Sequence, residues 1–112
     1  MSRDGELSVD SDEPAYQARA AGGQVLDEPS EDTIFELLTD LSEPDNTRLT
    51  IAPPGAGAPW RAVVSLLPGG GFEVEYHDTT GGEHRVVTET NPDRIALDLI
   101  VWVSSMVRDG RW

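Results

Sequence analysis

Cysteine is absent from the 112 residues, which excludes a disulfide framework, a thiolate metal site and a cysteine nucleophile, and leaves no sign of an oxidising compartment. Lysine is absent too: all eight cations are arginine, set against 21 aspartates and glutamates for a formal net charge of −13. A chain this poor in positive charge suits neither nucleic acid nor an anionic membrane, because both need clustered cations. A basic protein is its natural counterpart. Long apolar runs are also missing: the longest, Leu99 to Val103, falls far short of a membrane span. The opening "MSRDGELSVDSDEP" has no apolar core of a secretion signal. A soluble, cytoplasmic protein is expected.

Residues 1 to 28 are acidic, balanced only by Arg3 and Arg19, and hold few large apolar groups. Such a segment buries too little surface to offset its conformational entropy and is expected to be mobile, with some helix around "PAYQARAAGG" that Gly22 and Gly23 would stop. Residues 29 to 112 then form a single domain of about 80 residues, small but viable.

Within that domain, "EPSEDTIFELLTDLSEP" carries a helix signature. Ser30 is an N-cap, Glu31 and Asp32 sit at the positive end of the dipole, and Ile34, Leu37, Leu38 and Leu41 recur at helical spacing. Pro44 blocks continuation, so this helix is predicted over 31 to 42. "TRLTIAPP" predicts a short strand ended by Pro53 and Pro54, and "WRAVVSLL" a second from Trp60 to Leu67. "PGGG" reverses the chain into "FEVEYHD". "EHRVVTET", after "TTGG", is a further strand whose register the turn leaves open between two, three and four residues. "NPDRIALDLIVWVSSMVRDG" is the clearest helix, capped by Asn91, opened by Pro92 and stopped by Gly110. Ile95, Leu99, Trp102, Val103 and Met106 form its core stripe. Leu97, Ile100 and Val101 widen the apolar surface, which is either covered by the helix at 31 to 42 or available to another protein. The predicted architecture is α+β: an antiparallel sheet of about four strands with two helices packed on one face.

Register decides which side chains of "FEVEYHD" meet the core. Pairing Leu67 with Phe72 would place Val64 and Leu66 beside Glu75 and Glu73. A three-residue loop, Pro68 to Gly70, instead joins Ala62, Val64 and Leu66 to Tyr76, Val74 and Phe72. It sets Arg61, Val63 and Ser65 opposite His77, Glu75 and Glu73. The second register separates core from polar face and lets a loop glycine adopt positive φ.

Motifs for chemistry are scarce. His77 and His84, the only histidines, could meet Glu75 or Glu83 around a metal, but the spacing matches no established ligand signature; two solvated turn histidines are expected instead. "PGGG" leads into a strand and lacks the phosphate-loop pattern, and no serine sits in a nucleophile-elbow context. Glu73 and Glu75 share one side of a strand with nothing apolar around them, and are expected to titrate near ordinary values. Neither catalysis nor a cofactor is expected. What remains is recognition. Glu73, Glu75 and His77, with Asp78 and Glu83 at the turn, are predicted to form an acidic patch, either a partner surface or a solvated sheet face. Trp112 would be a docking plug against the sheet or an interface anchor.

The order of elements, with its "LTI" strand, "FEVEYHD" hairpin, C-terminal helix and closing "VRDGRW", resembles the Imm1 family of bacterial immunity proteins. The likeness spans about residues 30 to 112, and Trp112 is the residue that matches the family's tryptophan. The resemblance implies an inhibitor that neutralises a toxin of a polymorphic toxin system, often a deaminase acting on nucleic acid or nucleotides, whose basic cleft an acidic protein could occlude. A different reading is a chaperone or adaptor for a secreted protein, using the broad apolar helix as a client or homodimer surface.

Overall fold

The computed structural model describes residues 14 to 55 and 57 to 108. Among the described residues eight elements follow in order: β1 (Gln17–Ala20), β2 (Val25–Asp27), α1 (Glu31–Thr39), β3 (Arg48–Ala52), β4 (Trp60–Leu66), β5 (Phe72–Asp78), β6 (Glu83–Glu89) and α2 (Pro92–Arg108). The strands build one antiparallel sheet in the order β2-β1-β3-β4-β5-β6, so β2 and β6 are its edges. This is the predicted α+β class, with six strands where four were expected. Among the described residues, no helix is long and apolar enough to cross a membrane.

The two extra strands come from the segment expected to be mobile. Instead of a helical turn, "QARA" pairs with β2 on one side and β3 on the other, placing Ala18 opposite Leu26 and Ile51. Ala18 is 1% exposed. The turn between the strands uses Gly23 at φ 109°, a conformation that costs glycine nothing. It is held by Ala20 N–H donating to Gln24 O and by Gly22 N–H donating to Asn46 Oδ1. The folded unit therefore begins before residue 29, and the expected boundary at 28 moves toward the N-terminus. Alanine has weak strand preference, which burial against Ile51 and Leu26 overrides. Residues 1 to 13 lie outside the described residues.

Both helices lie on one face. Ser30 caps α1 through its hydroxyl, which accepts from Thr33 N–H, and Ile34, Leu37 and Leu38 turn inward. The helix stops at Thr39, three residues before the predicted end. Asn46 captures the Asp40 carbonyl through its side-chain amide and pairs with Ser42 through its backbone, folding the chain back early. Asn91 caps α2 by accepting from Asp93 N–H. The α2 stripe of Ile95, Leu99, Trp102, Val103 and Met106 is buried as predicted. Trp102 anchors the packing: its ring meets Trp60 at 5.6 Å and Tyr76 at 5.1 Å, both edge-on, the geometry aromatic pairs favour.

The β4–β5 register is the one that separates core from polar face, with Val64 opposite Val74 and Val63 opposite Glu75. Leu67 N–H donates to Gly71 O, closing the three-residue loop. Of the open alternatives for the next turn, four residues are used, because Asp78 pairs with Glu83.

Candidate functional site

Alternation sends Glu73, Glu75 and His77 to the face of the sheet that carries no helix, while Phe72, Val74 and Tyr76 face the core. In the register of β1, β3 and β4, Arg19, Arg48 and Arg61 emerge on that same open face, and Arg61 stands directly opposite His77. All three arginines are exposed. The open face is therefore of mixed charge, not the predicted acidic patch.

Its tightest contact joins β5 to β6. His77 and His84 are cross-strand partners with ring centroids 5.3 Å apart, and His84 Nε2 lies 2.6 Å from Glu75 Oε2. Glu75 is thus held below its ordinary pKa, chiefly by the hydrogen bond from His84 and further by the field of Arg61. The expected ordinary titration of Glu75 is corrected accordingly: the residue on the diagonal of the neighbouring strand, invisible in local spacing, stabilises the carboxylate. Among the described residues, no group of three or more histidine, aspartate or glutamate side chains is arranged to hold a metal.

Asp78 and Glu83 leave the predicted patch for physical reasons that the parity of the strands makes plain. Asp78 follows Tyr76 on the core side and is 1% exposed. Its Oδ1 accepts from Thr80 N–H and Gly81 N–H, fixing the β5–β6 turn. Thr79 reinforces that turn by donating from both N–H and hydroxyl to Pro59 O. Glu83, opposite Asp78, lies on the helix side, where Oε1 accepts from the Trp102 indole N–H at 3.2 Å and Oε2 meets Arg85 at 3.4 Å. Trp112 lies outside the described residues.

The larger concentration of acid is elsewhere. Between Asp27 and Asp45 the chain carries eight carboxylates and no cation, and all eight are exposed. They follow the β2–α1 connection, the outer side of α1 and the loop to β3. Among the described residues none of them forms an ion pair; the pairs that exist use Glu75, Glu83 and Asp98. The run has no single signature in the sequence: Asp27 and Glu28 fall in the segment expected to be mobile, and Glu31 and Asp32 serve as helix-dipole partners.

A second surface feature lies at the opposite edge. Leu97 is 46% and Val101 60% exposed. With Tyr76, Arg85 and Val87 they line a groove of about 660 Å³ between α2 and β6. The alternative in which α1 covers this part of α2 does not hold for Leu97 and Val101, whereas Ile100 packs against the core. Arg85 crosses the groove floor with its guanidinium 4.3 Å above the Tyr76 ring. Burial, aided by Asp98, pushes the Tyr76 hydroxyl pKa above its ordinary value.

No family model, no curated protein and no solved structure matches this chain.

Proposed function

We propose that this protein is a stoichiometric, non-catalytic inhibitor of a basic protein, acting as a cytoplasmic immunity protein that occludes the cleft of a bacterial toxin acting on nucleic acid or nucleotides, such as a deaminase. The observation that carries the reading is the run of eight exposed carboxylates between Asp27 and Asp45, without a cation among them. Carboxylates without an ion-pair partner among the described residues raise the local potential, speed encounter with a cationic surface and orient it before contact. A toxin that grips phosphates presents such a surface. On this reading α1 and its flanks are the leading edge, and Glu73 on the open sheet face plays a lesser part beside the arginines there. The toxin class comes from the resemblance to the Imm1 family; the charge argument stands apart from it.

The test is titration of this protein against a co-encoded toxin at rising salt. A one-to-one complex that abolishes toxin activity, and whose association slows steeply with ionic strength, supports the reading. Absence of a complex at low salt, or an affinity indifferent to salt, defeats it.

A second reading has its own support. The exposed Leu97 and Val101 on α2 suit a chaperone or adaptor that holds an apolar segment of a secreted client. Protection of such a client from aggregation, with no inhibition of a toxin, would favour it.

A further inference from the structure

Among the described residues, four of the five large hydrophobic side chains that remain exposed, Val86, Val87, Leu97 and Val101, gather at the β6 edge and the helix beside it. The two edges of the sheet differ. β2 is three residues long, ends in Asp27 and is followed by Glu28 at φ 44°, a short, charged edge of the kind that resists further pairing. β6 is seven residues long, holds no proline and pairs with β5 without a bulge from Glu83 to Glu89. It is a full-length template with one side unused among the described residues.

The hydrogen bonds settle which backbone groups are on that side. Leu67 N–H donates to Gly71 O, and Thr79 N–H donates to Pro59 O, so the odd-numbered residues of β5 bond to β4. Antiparallel ladders alternate; the even-numbered residues of β5 therefore bond to β6, engaging Glu83, Arg85, Val87 and Glu89 there. The N–H and C=O groups of His84, Val86 and Thr88 point outward.

We infer that the β6 edge is the interface between two copies of this chain, joined antiparallel about a two-fold axis at Val87. Charge selects the copy and the register. The segment Arg85-Val86-Val87-Thr88-Glu89 is complementary to its own reverse: centred on Val87, Arg85 of each copy faces Glu89 of the other. Val86 and Thr88 exchange both backbone bonds, twice by symmetry. The Arg85–Glu89 and Val87–Val87 pairs then fall at the non-hydrogen-bonded positions, where side chains approach most closely. Centring on Val86 would set Glu83 against Glu89, and centring on Arg85 would oppose the two arginines. Both side chains have capacity for the contact: Arg85 is 51% exposed beside Glu83. Glu89 uses Oε2 to accept from Thr90 and Asn91 N–H. Pairing brings the two α2 grooves together along one continuous sheet and withdraws Val86 and Val87 from water.

Sedimentation equilibrium of the full chain tests this. The wild type should sediment as a dimer that dissociates on dilution. Val86→Pro removes an N–H that bonds nothing among the described residues, so the variant should keep its far-UV spectrum and tryptophan emission and sediment as a monomer. Arg85→Glu alone and Glu89→Arg alone should each weaken self-association by about tenfold, and the double exchange should return it to within about threefold of wild type. A wild type that stays monomeric up to roughly millimolar concentration, a dimer indifferent to folded Val86→Pro, or a double exchange no better than the singles would each overturn the inference.

Discussion

The indole N–H of Trp102 donates to the carboxylate of Glu83 at 3.2 Å, fastening the middle of α2 to the first residue of β6. Trp102 is nearly buried at 9% exposure, and it has turned its one polar atom toward the sheet margin, where an acceptor half in water can meet it. Glu83 therefore serves the fold before it can serve any partner.

Glu83→Ala should leave that indole N–H without its acceptor and destabilise the chain by about 1 kcal/mol, read as a fall in the urea midpoint. Glu83→Gln keeps an acceptor oxygen and should recover most of the loss. If the Ala variant unfolds like wild type, the bond contributes nothing.

The Glu75–His84 contact gives a pH dependence with a definite sign. A carboxyl held below its ordinary pKa in the folded state adds stability above the unfolded value, about 4.3. It loses that stability as pH falls through the lower folded value. An NMR titration should place the Glu75 midpoint below the ordinary range, and His84→Ala should move it upward. A midpoint that His84→Ala leaves in place would remove His84 as the cause, in contrast to the geometry.

Ala18 tests the N-terminal hairpin. Ala18→Asp would press a carboxylate between Leu26 and Ile51, and should cost about 3 kcal/mol or unfold the sheet edge. The amides of β1 that bond to β3 should also exchange slowly with solvent. An unaltered unfolding curve would mean that residues 17 to 27 do not belong to the cooperative unit.

For the proposed inhibitor function, removing three of the exposed charges around α1 with Glu36→Gln, Glu43→Gln and Asp45→Asn should slow association with a basic toxin by about tenfold at low salt. The dissociation rate should change less. Glu73→Gln, set among arginines on the open face, should have a smaller effect. Equal effects from both sets would return the leading surface to the sheet.

The sequence determined whatever rests on neighbours in the chain. Ser30 and Asn91 fixed the helix starts, Pro92 opened α2, and the 3.6-residue stripe from Ile95 to Met106 named its buried side. Two-residue alternation in "FEVEYHD", with a glycine loop before it, was enough to choose the β4–β5 register and to send Glu73, Glu75 and His77 outward together. Tertiary structure alone decided what depends on groups distant in sequence. Gln17 to Ala20 became a strand because Ile51 and Leu26 bury Ala18, a gain that small side chains do not advertise. Glu83 went to the core side because a four-residue turn set the phase of β6 and placed it beside Trp102, whereas Asp78 reached that side by the parity of β5 and was held there by the turn amides. The charge of the open face followed from Arg19, Arg48 and Arg61 arriving there on three other strands. Local propensity and period act within a few residues, whereas the field felt by a carboxylate and the neighbours it can bond are set by which strands lie side by side.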